Sequence, residues 1–110
     1  MKVVKIKPIG INQQYTGRRF LTKEGSDFKK FSKLLIKKCK IEYYEKLGVY
    51  LEFGFSNAAQ DIDGPIKSCI DIMQEQLGFN DKIIYDLQVK KRIVKKGMEY
   101  WSFSIYELTE

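Results

Sequence analysis

Leu47-Gly48-Val49-Tyr50-Leu51-Glu52-Phe53-Gly54-Phe55 changes character at every step, and the segment after it changes period. Val49, Leu51, Phe53 and Phe55 fall on one face of an extended chain, with Tyr50, Glu52, Gly54 and Ser56 on the other. That is the pattern of a half-buried strand. Downstream, Gly64-Pro65 suits a helix start. Ile66, Cys69, Ile70, Met73 and Leu77 then recur at helical spacing, and Gly78 is a natural helix end. Ile83 to Val94 reads as the next strand. Lys95-Lys96-Gly97 turns the chain, and Trp101, Phe103 and Ile105 alternate along a last strand.

Upstream, Val3-Val4-Lys5-Ile6-Lys7 reads as a first strand ended by Pro8 and Gly10. Ile11 to Thr22 is irregular or a short hairpin with Arg18-Arg19 at its middle. A first helix starts near Thr22 or Ser26 and carries Phe28, Phe31, Leu34, Leu35 and Cys39 as its apolar stripe, with lysines on the other faces. The expected fold is α/β of the α+β type. It is a single small domain over residues 1–110, a mixed β-sheet with two main helices packed against it.

The chain has 110 residues and a net charge of +6. It has no histidine, which excludes Ser-His-Asp and Cys-His hydrolysis, histidine-ligated zinc and nucleases with a histidine base. The two cysteines, Cys39 and Cys69, are too few for a zinc site and read as buried core thiols in a reducing compartment. No apolar run approaches the roughly 18 residues of a membrane span, and the charged start lacks a signal-peptide core. A soluble, cytoplasmic protein is expected.

The charge is unevenly spread. Residues 1–56 carry +8, residues 57–81 carry −4 and residues 82–110 carry +2. A basic surface attracts a polyanion. A carboxylate cluster within it repels the same polyanion unless a divalent cation fills it. The acidic window contains Asp61-Ile62-Asp63-Gly64-Pro65-Ile66-Lys67 and ends at Asp81. In an extended segment Asp61 and Asp63 point to the same side, and Lys67 lies one helical turn beyond Asp63. Asp81 meets them only if the strand after the helix runs back beside it. Three carboxylates and a lysine suit magnesium-dependent phosphodiester hydrolysis. Each residue also has an ordinary use: Asp63 as a helix cap, Asp61 and Asp81 as solvated loop acids, Lys67 as a surface charge.

Asp61-Ile62-Asp63, Lys67 four residues on, Asp71 four after that, and then Gly78-Phe79-Asn80-Asp81 resemble the signature of the RusA family of Holliday-junction resolvases. Pro8-Ile9-Gly10-Ile11-Asn12 is similar to that family's Pro-x-x-x-Asn segment, and Arg18 to Glu24 to the stretch before its first helix. Gly64-Pro65 and Asn80 depart from the residues common in the family. The resemblance implies a small homodimeric endonuclease, often encoded by a phage or prophage. Such an enzyme uses Mg²⁺ (Mn²⁺ substituting) to cut four-way DNA junctions by paired nicks in recombination and repair. It implies Asp61, Asp63 and Asp81 as metal-binding catalytic carboxylates and Lys67 as the catalytic lysine. Asn12, Arg18, Arg19, Lys90, Lys91 and Arg92 are candidate DNA contacts. Tyr43, Tyr44, Tyr50 and Phe55 belong either to a dimer interface or to the core and sheet surface. The alternative is a non-catalytic basic protein that binds branched DNA.

Overall fold

A computed structural model describes residues 2–9, 15–16, 20–21, 23–41 and 45–109. β1 (Lys2–Val4) is followed by a two-stranded hairpin, β2 (Tyr15–Thr16) and β3 (Phe20–Leu21), then by α1 (Lys23–Leu35) and β4 (Leu47–Phe55). Next come α2 (Ile66–Leu77), a 3-10 turn (Asp81–Ile83), β5 (Ile84–Ile93) and β6 (Tyr100–Glu107). The main sheet has the order β1-β6-β4-β5, with β4 antiparallel to β6 and parallel to β5. A parallel neighbour requires a crossover, and α2 supplies it. β5 and β6, consecutive in sequence, therefore lie on opposite sides of β4, and the Lys95–Gly97 turn carries the chain across it instead of closing a hairpin. Gly97 takes φ 93° there, a conformation that costs a glycine little.

Alternation along β4 determines the layering. Leu47, Val49, Leu51, Phe53 and Phe55 are all buried, and they meet Trp101 and Phe103 of β6, Val4 of β1, Phe28 of α1, and Cys69, Ile72, Met73 and Leu77 of α2. Both helices thus cover the same face of the sheet. Removing a ring such as Phe53 costs about 3–5 kcal/mol at a site of this kind. Phe55 belongs to this core, not to an interface. Tyr43 and Tyr44 lie outside the described residues.

The first helix departs from expectation in phase and length. Gly25, Phe28 and Ser32 are its buried residues, while Phe31, Leu34 and Leu35 are 47%, 72% and 47% exposed. Buried Ser32 is retained because its hydroxyl accepts the Trp101 indole N–H at 3.2 Å. The helix ends at Leu35, where the Gln76 amide of α2 donates to the main-chain oxygens of Lys33 (3.1 Å) and, just past the helix, Ile36 (2.7 Å). Cys39 consequently lies beyond the helix and is exposed, contrary to expectation, although Cys69 is buried.

Among the described residues, no helix covers the opposite face of the sheet. Tyr50, Glu52, Tyr100 and Tyr106 stand there. The rings of Tyr106 and Tyr100 lie over Gly48 and Gly54, where an added Cβ would come within 2.0 and 2.3 Å of ring atoms. Among the described residues, no helix is long and apolar enough to cross a membrane.

Candidate metal and phosphate site

The acidic window begins in a loop pinned from two directions. The Asn57 side chain accepts the Ala59 N–H at 2.9 Å. From β5, the Lys91 ammonium reaches the carbonyls of Ala58 (2.8 Å) and Gln60. Two successive turns follow: Gly64 N–H bonds the Asp61 oxygen at 3.2 Å and Ile66 N–H bonds the Asp63 oxygen at 3.4 Å. The segment is therefore coiled, not extended, and the same-side argument for Asp61 and Asp63 does not hold. Asp63 faces a groove; Asp61 is not among its lining residues.

Asp63 does not serve as a helix cap. Pro65 occupies the cap position of α2, and no side chain caps the first turn. Lys67, one turn on, is 71% exposed and pairs at 3.3 Å with Asp71. At the far end Gly78, at φ 72°, closes the helix through its N–H to the Gln74 oxygen. Asn80 then caps the 3-10 turn by accepting the Lys82 N–H at 3.0 Å, which leaves Asp81 at the start of that turn. Asp81 therefore sits at the C-terminal end of α2, and β5, parallel to β4, starts there and runs back along the helix.

The result is a groove of about 560 Å³ lined by Asp63, Lys67, Asp81, Asp86 and the apolar side chains of α2 and early β5. Asp63, Lys67 and Asp81 are thus brought to one surface although a whole helix separates the two acids. Among the described residues, no hydrogen bond or ion pair engages the side-chain oxygens of Asp61, Asp63 or Asp81. Nor do any three acid or cysteine side chains there form a ready-made cation cluster. Mg²⁺ keeps several waters and is commonly held by one or two carboxylates plus substrate phosphate. The hard oxygens of Asp63 and Asp81, facing one groove, are a donor set of the right chemistry.

Asp86 was not anticipated. It lines the groove and accepts the Tyr106 hydroxyl at 2.6 Å. Its signal in the sequence was the one acid in the strand IYDLQVKKRI. The proposed DNA contacts divide. Asn12, Arg18 and Arg19 lie outside the described residues, and Lys90 is exposed. Lys91 is committed to the loop carbonyls, and Arg92 pairs at 3.2 Å with Glu52.

Glu52 gathers a polar network on the open face. It accepts the hydroxyls of Tyr50 (2.9 Å) and Tyr100 (2.5 Å) beside the Arg92 pair. The Tyr100 hydrogen bond, with those of Tyr50 and Arg92, holds the Glu52 carboxyl below its ordinary value. Burial, helped by the carboxylate, pushes Tyr100 up to about 12. Comparison with protein-family models and with curated proteins finds no match to this chain.

Proposed function

We propose that the chain is a divalent-metal-dependent endodeoxyribonuclease that nicks branched DNA, with the four-way junction as its preferred substrate and a two-fold dimer as its working form. The observation that carries this reading is the shared groove of Asp63, Lys67 and Asp81 in a chain of net charge +6. The resemblance to the RusA resolvases supplies the substrate and the dimer, since two sites related by a two-fold axis suit a junction of that symmetry.

Asp63 and Asp81 would hold Mg²⁺. When bound, the metal supplies an activated water and neutralises charge on the phosphoryl oxygens. Lys67, restrained by Asp71, presents an ammonium to the same groove, where it attracts the scissile phosphate and offsets negative charge developing there. Asp61 acts through its main chain, whose oxygen closes the turn on Gly64 and so sets the direction of Asp63.

The test is cleavage of a labelled four-way junction beside a matched linear duplex, with and without Mg²⁺, using wild type and Asp→Asn variants. Metal-dependent paired nicks are expected on the junction alone. Asp63→Asn and Asp81→Asn should each lose at least about 100-fold, a barrier increase of about 2.7 kcal/mol, and Asp61→Asn markedly less. Junction bound but left intact with both Mg²⁺ and Mn²⁺ would sink the enzyme and leave a binding protein.

A further inference from the structure

One face of α2 connects the two ends of the groove. Lys67, Asp71 and Gln74 stand at i, i+4 and i+7, a single row on a helix. The Lys67 ammonium donates to Asp71 Oδ1 at 3.3 Å, and the Gln74 amide nitrogen donates to the same oxygen at 3.4 Å. The other end of that amide, Oε1, accepts the main-chain N–H of Asp81 at 2.8 Å. A continuous chain of side-chain contacts therefore runs from the lysine to the backbone of the acid.

The last of these bonds fills a specific need. Asp81 opens the 3-10 turn, and the first N–H groups of a helical turn have no partner within it. The Asn80 side chain accepts the Lys82 N–H, not that of Asp81. Gln74 accepts the latter from the neighbouring helix, while its own carbonyl closes α2 on Gly78. The loop between α2 and β5 is thus held at both ends by one residue. Asp81 is gripped through its main chain, so neither carboxylate oxygen is used. A neutral amide performs this without adding negative charge beside Asp71 and Asp81.

We propose that Gln74 is the positioning residue of the groove: it sets Asp81 against Lys67 and keeps the Asp81 carboxylate free for the cation. This rests on the nuclease reading above. Orienting partners behind metal ligands commonly account for 10- to 100-fold in metal affinity, and the same range is expected here.

Gln74→Met keeps the length and helix propensity of the side chain and removes both hydrogen bonds. Mn²⁺ binding to the DNA-free protein, followed by calorimetry, is expected to weaken about tenfold. Amide exchange at Asp81, followed by NMR, should accelerate by a similar factor while the amides of α2 keep their protection. Gln74→Glu retains the acceptor and should leave the Asp81 amide protected. Mn²⁺ affinity within about twofold of wild type in Gln74→Met, or unchanged exchange at Asp81, overturns the role of Gln74 and leaves the nuclease reading standing. Wild type that binds no Mn²⁺, or Asp81→Asn that binds it as wild type does, overturns the nuclease reading and this role with it.

Discussion

The ammonium of Lys91, on the edge strand β5, donates to the carbonyl of Gln60, the residue immediately before Asp61. A second donation to Ala58 makes the contact a clamp, and the same nitrogen stands over the Phe55 ring, 5.9 Å from its centroid. A cation that looks in sequence like part of a phosphate-binding run is therefore the support of the acidic loop.

Replacing Lys91 by Met should loosen that support without removing a phosphate contact. Junction cleavage is expected to fall about tenfold, by analogy with the loss of a residue that orients a metal ligand. The dependence of log K on log salt should keep its slope. Loss of a true phosphate contact would instead lower the slope by about one and leave turnover at saturating DNA largely intact. Salt titration of binding, beside single-turnover cleavage, separates the two.

Glu52 should make stability sensitive to acid. Its folded value lies below its ordinary value of 4.5, so the folded state binds that proton less readily than the unfolded chain does. The stabilisation is complete above the unfolded value and is lost as pH falls through the folded one. Denaturant titrations from pH 6 to pH 2.5 should show this loss, and Glu52→Gln should flatten the curve. At the alkaline end the sign reverses. Tyr100, held up to about 12, keeps its proton in the fold where an unfolded tyrosine loses it near 10. Its contribution is full below pH 10 and declines between 10 and 12, and tyrosinate absorbance should lag correspondingly.

Gly54→Ala should destabilise the protein by about 1–3 kcal/mol, the usual cost of forcing extra volume into a packed site. The new Cβ would fall 2.3 Å from a ring carbon of Tyr100. Relieving that contact moves the hydroxyl away from Glu52, so the variant should also lose part of the acid dependence described above. Urea unfolding at pH 7 and pH 3 measures both effects; a Gly54→Ala protein as stable as wild type would show that the ring moves freely.

Much of the fold was legible because period is a local property. The alternation over β4, the apolar stripe of α2 and the Gly78 terminator each depend on residues within a few positions of one another. Cys39 and Leu34 could not be placed that way. The end of α1 is held by Gln76, a residue on another helix, and no window around Leu35 contains that contact. Sheet order was hidden for the same reason: β6 pairs with β4 across the whole strand β5. At the site, the Asp63–Lys67 spacing was readable from helix geometry. That Asp81 lines the same groove depended on how the 3-10 turn and early β5 lie along α2, and the turns that divert Asp61 depended on main-chain bonds that Gly64 and Pro65 only hint at.

β5 has consequences for solubility as well. It is ten residues long and has β4 on one side and no sheet neighbour on the other among the described residues. Such a margin is a template on which a second molecule can add its own strand, the route to edge-to-edge aggregation. Lys90, Lys91 and Arg92 stand consecutively on it, and two margins approaching in parallel register would set like charges opposite one another. These cations thereby act as gatekeepers against self-assembly, a burden that falls on the strand whether or not DNA is ever present.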